Sequence, residues 1–139
     1  MQRLAAHAGL GGPVEDEYGG FGEPIDEVVP AERLDEGLGL LERCWTGERV
    51  TRRGGHFHTE DVALPPRPVQ HPRPPVWVAG FRPTRRPMRR AAHEDGAVPP
   101  FESAKHGRTP PVDEVRDLVA YFRRCRPDDR RAELGPPRL

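Results

Sequence analysis

Leu34, Leu38, Leu41 and Trp45 recur at steps of four, three and four along a stretch otherwise rich in charge. That period sets apolar side chains on one face of a helix. Asp26 stands where such a helix takes its N-cap, Glu32, Asp35 and Glu36 suit its first half, and Gly47 is the natural stop after Trp45 and Thr46. Gly37 and Gly39 each cost about 1 kcal/mol relative to alanine, so packing must hold this helix. A second face of the same kind, Val112, Val115, Leu118, Val119 and Phe122, predicts a helix over 112–124, capped by Thr109 and opened by Pro110 and Pro111.

Between the two helices the period shortens. "RVTRRGGHFHTEDVAL" predicts two short strands turning at Gly54 and Gly55. "PPRPVQHPRPP", residues 65–75, holds six prolines and is an extended connector, neither helix nor inner strand. "VWVAG", residues 76–80, is a short apolar run of the kind buried on both faces of a parallel sheet. From Pro87, "PMRRAAHEDG" suits a helix with Met88, Ala91 and Ala92 on one face, and "GAVPP" at 96–100 a second short strand. Strand, helix and strand in that order make a βαβ unit, with the two strands parallel. "HAGLGGP" at 7–13 reads as the end of a strand running into a turn.

Composition tempers this picture. Only 35% of the 139 residues are hydrophobic and 6% aromatic, a thin supply for a core, while 18 prolines and 15 glycines imply long irregular loops. Lysine plus arginine (22) balances aspartate plus glutamate (22), so no overall field draws the chain to nucleic acid or to an anionic membrane. Cys44 and Cys125 lie far apart and outside any CxxC, as reduced thiols of a cytoplasmic protein do. The N-terminus lacks the apolar run of a signal peptide, and no stretch approaches the ~20 apolar residues of a membrane span. The residues from Arg126 to Leu139 are charged and proline-bearing, and disorder is expected there.

The strand "VWVAG" is the strongest candidate for chemistry. A strand that ends at glycine and feeds a helix leaves backbone N–H groups unpaired at the helix start, where they and the helix dipole attract an anion. Arg82, Arg85, Arg86, Arg89 and Arg90 crowd that loop and first turns, with no acidic residue between Phe81 and Arg90. A phosphate fits such a place; so does a solvated arginine face, or pairing with Glu94 and Asp95. His56 and His58 in "GGHFH" would point to one side of a strand as two metal ligands do, but a third ligand at matching spacing is missing and they read as hairpin histidines. His93 before Glu94 and Asp95 reads as a helix-end residue, Cys44 beside Trp45 as core, and "GLGG" as no dinucleotide fingerprint. No metal site and no catalytic residue is assigned.

Taken in order, "RLDEGLGLLERCWTGE", "LPPRPVQHPRPPVWVAG" and "RRAAHEDG" resemble the middle and later part of the bacterial luciferase-like monooxygenases, the flavin- or deazaflavin-dependent oxidoreductases. The resemblance runs from about Gly9 to Pro100 and more loosely through "DEVRDLVAYFRR". It implies an α/β fold, a TIM-type (β/α)8 barrel with proline-rich connectors, binding FMN or coenzyme F-420 at the carboxyl ends of its strands. It also implies that Gly80, Phe81, Arg82 and Thr84 receive the cofactor phosphate, with Gly96 close by. A barrel of this kind takes roughly 250 residues, so the expectation is a partial, incomplete barrel over 1–125, truncated at its N-terminus, with 126–139 as a tail. "MQRLAAHA", at the place of an apolar family strand, has little β-propensity.

The implied function is oxidation of a small-molecule substrate by a protein without nucleic-acid or membrane partners. Two other readings stay open. One is a non-catalytic remnant that associates with another chain, for instance as a homo-oligomer through exposed barrel edges. The other is a small nucleic-acid-binding module built on the arginines, which zero net charge and few aromatics disfavour.

Overall fold

The computed structural model describes residues 4–10, 14–23, 25–26, 28–80, 85–98, 101, 103, 107–126 and 133–134. The chain divides into two compact units: Leu10–Pro74 with Met1, and Gln2–Gly9 joined by Pro75–Leu139. No helix among the described residues is long and apolar enough to cross a membrane.

The first unit is a long helix with a hairpin. After a short helix α1 (Val14–Glu17) and a 3-10 turn (Gly19–Phe21), α2 runs from Val28 to Trp45. Asp26 caps it as expected: its carboxylate accepts from the N–H groups of Val28 at 2.8 Å and Val29 at 3.0 Å. Gly47 ends it in the left-handed conformation (φ 76°), donating its N–H to the Cys44 carbonyl. Leu38 and Cys44 are buried on its inner face, which places Cys44 in the core.

Strands β2 (Val50–Arg53) and β3 (His58–Val62) form an antiparallel ribbon. Its tip is fastened to α2 by Glu36, with Glu32 also meeting the His56 ring. The Glu36 carboxylate accepts from the backbone N–H groups of His56 (2.9 Å) and Phe57 (3.0 Å), faces Arg52 at 3.7 Å, and is only 11% exposed. A Cβ on Gly54 would overlap that carboxylate, and one on Gly37 would stand 3.3 Å from the Phe57 ring. Both glycines therefore serve the close approach of tip and helix, and the packing that α2 needed is supplied here.

Burial opposes ionisation of Glu36, but the two backbone donors and the charges of Arg52 and His56 together outweigh it and hold the carboxyl below its ordinary range. A depressed carboxyl stabilises the fold above its unfolded-state pKa and ceases to do so as pH falls through the folded one. We predict that the amide protons of His56 and Phe57 lose exchange protection on acidification through that window. Glu36→Gln should lower their protection at neutral pH and remove the pH step; a step that survives the substitution would point elsewhere, for example to Asp61. That carboxylate, forked by Arg49, is also held low by its hydrogen bond to the guanidinium, and it sits at the bulge of the ribbon with φ 52°.

Residues 63–75 form neither helix nor strand. The second unit then opens with β4 (Val76–Ala79), followed by α3 (Arg85–His93), β5 (Gly96–Val98) and α4 (Val112–Cys125). Its sheet is parallel, in the order β1 (Ala6–Ala8), β4, β5 and a two-residue β6 (Glu133–Leu134). The βαβ expectation holds. The weak β-propensity of "MQRLAAHA" is overridden, because Ala6, His7 and Ala8 pair with Val76, Trp77 and Val78 and gain a ladder that propensity does not count. Within the expected disordered tail, Glu133 and Leu134 pair with Gly96 and Ala97, and Arg126 donates to the Glu94 carbonyl at 3.3 Å. The rest of that tail lies outside the described residues.

Helix α3 packs on β4, β5 and α4. Val76, Val78, Met88, Ala91, Ala92, Ala97, Leu118 and Phe122 are buried there almost completely. The expectation that β4 is buried on both faces is corrected: Val76 and Val78 are covered, whereas the alternate Trp77 and Ala79 are half-buried. Asp95 locks the lower end of β4. Its carboxylate accepts from the Val76 N–H at 2.9 Å, and its own N–H donates back to the Val76 carbonyl at 3.0 Å. The cap predicted at Thr109 does not form: Pro111 holds the N-cap position without a side-chain bond. Pro110 and Pro111 have no N–H to offer Thr109.

Candidate functional site

In open parallel sheets, ligands gather outside the carboxyl ends of the strands. In the second unit that edge is made by Ala8–Gly9, Ala79–Gly80 and Val98. Gly80 is the tightest point. A Cβ there would run into the Cβ of Pro87 and stand 2.9 Å from Met88 Cε and 3.3 Å from Pro87 Cα. Glycine is thus required for β4 to pass directly under the first turn of α3, whose start is thereby fixed beside the strand end.

Helix α3 starts at Arg85, two residues before the position read from sequence, so Arg85 and Arg86 belong to its first turn. Pro87 is tolerated because the first-turn N–H groups have no intrahelical acceptor in any case. That turn carries no acidic residue, and Arg86 and Arg89 are exposed. The N–H groups that a helix start presents, the positive end of the dipole and a turn with arginines and no acid suit an oxyanion.

The remaining sequence-derived positions distribute unevenly. Phe81, Arg82 and Thr84 lie outside the described residues. Gly96 begins β5, in register with Trp77, while Gly80 follows the last residue of β4. At roughly 3.3 Å per residue the two stand about 10 Å apart along the strand direction. The structure therefore joins Gly80 to the start of α3 and sets Gly96 at the amino edge of the sheet.

One arrangement escaped the sequence. His7 of β1 and Trp77 of β4 stack with ring centroids 5.8 Å apart and planes within 5°, on neighbouring strands of the parallel sheet. Strand alternation in "VWVA" was the available signal, and reading the strand as buried on both faces obscured it. His56 and His58 do not share a strand: His56 lies in the tip, its Nε2 3.0 Å from Glu32, and His58 starts β3 opposite Arg53. Among the described residues no cluster of three His, Cys, Asp or Glu could hold a metal ion.

Comparison with known proteins bears on the same segments. A family model described as luciferase-like monooxygenase matches residues 3–126. The uncharacterized protein y4wF of Sinorhizobium fredii is 39% identical over 79 residues, which is 56% of this chain and 22% of that protein. The crystal structure of the monooxygenase RslO1 from Streptomyces bottropensis superposes with a TM-score of 0.66 at 25% identity, covering 94% of this chain and 39% of that one. The chain thus spans well under half the length of either protein.

Proposed function

Because the chain belongs to the luciferase-like monooxygenase family, we propose that it supplies part of a (β/α)8 barrel of a flavin- or deazaflavin-dependent oxidoreductase, with Gly80, Phe81, Arg82 and Thr84 holding the phosphate of FMN or coenzyme F-420. The observation that carries this reading is the Gly80 junction, where a parallel strand ends beneath an arginine-bearing, acid-free first turn of α3. The residues present fit a phosphate: the donors are backbone N–H groups and guanidinium groups, and no carboxylate of that turn repels an anion.

When bound, the isoalloxazine or deazaflavin ring carries the hydride or electrons of the reaction. The chain's own part is positional. Arg82 and the α3 amides orient the cofactor by its phosphate, and the rigid packing of Gly80 against Pro87 keeps those amides from drifting. Gly96 opens the neighbouring strand at the amino edge of the sheet, away from the phosphate position.

Titration with FMN and F-420, read by quenching of their fluorescence, tests this. Saturable binding is expected, with riboflavin weaker than FMN because it lacks the phosphate. Arg82→Ala should weaken FMN by about tenfold or more, the worth of a lost charge-assisted contact, and Arg89→Ala by much less. Equal losses for the two variants, or equal affinity for FMN and riboflavin, would sink the phosphate assignment.

A further inference from the structure

A pocket of about 300 Å³ opens in the first unit where the end of α2 meets the proline-rich connector, in a part of the chain that the phosphate reading does not use. Trp45 and Glu42 line it from the helix, and Arg67, Pro68, His71 and Arg73 from the connector. We propose that this pocket is a second binding site, for a small aromatic carboxylate.

The charges decide the sign of the ligand. Arg73 is committed: its guanidinium meets the Glu42 carboxylate at 2.6 Å and the Pro74 carbonyl at 3.1 Å, and its side chain is only 15% exposed. That pair neutralises itself and fixes one wall. Arg67 is different. Its methylene stem lies across Gly47, where a Cβ would overlap it, and among the described residues its guanidinium has no carboxylate partner, whereas Arg33, Arg49, Arg52, Arg73 and Arg116 each have one. A positioned, unpaired guanidinium beside an imidazole selects an anion, and its planar fork matches a carboxylate.

The walls decide the body. Trp45 is half-buried and lines the pocket. With Pro68 it offers flat apolar surface to a ring. The volume lies at the lower limit for ligand pockets, which admits a single-ring molecule and little more. Gly47 also acquires a role beyond ending α2, since any side chain there would displace Arg67.

Benzoate is the probe, followed by the indole N–H signal of Trp45 in proton–nitrogen NMR spectra and assigned with Trp45→Phe. Saturable movement of that signal is expected, with a Kd on the order of 1 mM, and little movement of the Trp77 signal. Arg67→Gln keeps the stem over Gly47 but removes the charge, and should weaken benzoate by about tenfold or more. Unchanged Trp77 and hairpin signals in that variant would show it folded. Benzamide, with the same ring and no charge, should not bind at the same concentration. No benzoate-dependent shift, an undiminished shift in Arg67→Gln, or equal shifts with benzamide would overturn the proposal. Inorganic phosphate moving the signal as effectively as benzoate would overturn the aromatic part of it.

Discussion

Gly80→Ala is expected to destabilise the second unit by about 3 kcal/mol or more, at or above the top of the usual range for overpacking. The added methyl meets Met88 Cε, which can swing aside, but also the ring and backbone of Pro87, which no rotamer change moves. Relief requires lifting α3 from β4. That would open the seam in which Val78, Met88, Ala91 and Ala92 are almost completely buried, with a cavity cost of its own. Urea unfolding followed by Trp77 emission in a Trp45→Phe background measures the loss. Gly39→Ala, where a Cβ meets nothing within 4 Å, provides the contrast: it should be neutral or stabilising, as alanine is the better helix former. If the Gly80 variant were as stable as the parent, the junction would be looser than its geometry implies, and the placement of the α3 amides would lose its support.

Phe122→Ala should cost about 3–5 kcal/mol, the range for removing a buried aromatic. Its side chain is 1% exposed and lies on the face of α4 turned to α3, with Leu118 at 2% one turn before it. The same helix contains its own control. Val112 is 71% exposed and Val115 is 37% exposed, so Val112→Ala should change stability by no more than about 0.5 kcal/mol. Equal losses at positions 112 and 122 would mean that the whole apolar stripe is covered, and that the exposed half meets a partner in solution.

The contrast between those two positions also shows what the sequence carried. Period alone put Val112, Val115, Leu118, Val119 and Phe122 on one face, and they are; it does not say how far along the helix a neighbour reaches. The ends of α2 were legible because Asp26 and Gly47 act within three residues of the atoms they serve. β4, α3 and β5 were legible because an apolar run, a glycine and a helical face followed in order. Long-range assignments were not. Glu36 holds a turn twenty positions further on, and nothing local distinguishes it from Glu32 or Asp35. β1 exists because β4 offers it a ladder. The place of Gly96 depends on register, which sequence spacing does not encode; of the candidate phosphate residues, only Gly80 could be set against its surroundings.

β1 and β4 are neighbours in the sheet but are separated in the chain by the whole of the first unit. During synthesis β1 therefore emerges well before its partner, and at roughly 5–20 residues per second it waits several seconds unpaired. A strand of valines and isoleucines exposed for that time would be an aggregation hazard. Ala6, His7 and Ala8 are poor material for mispairing, so the low β-propensity that hid the strand from sequence reading also makes it safe to leave waiting. The first unit, held by helix–hairpin contacts closer in sequence, can form in the interval, and the sheet is completed last.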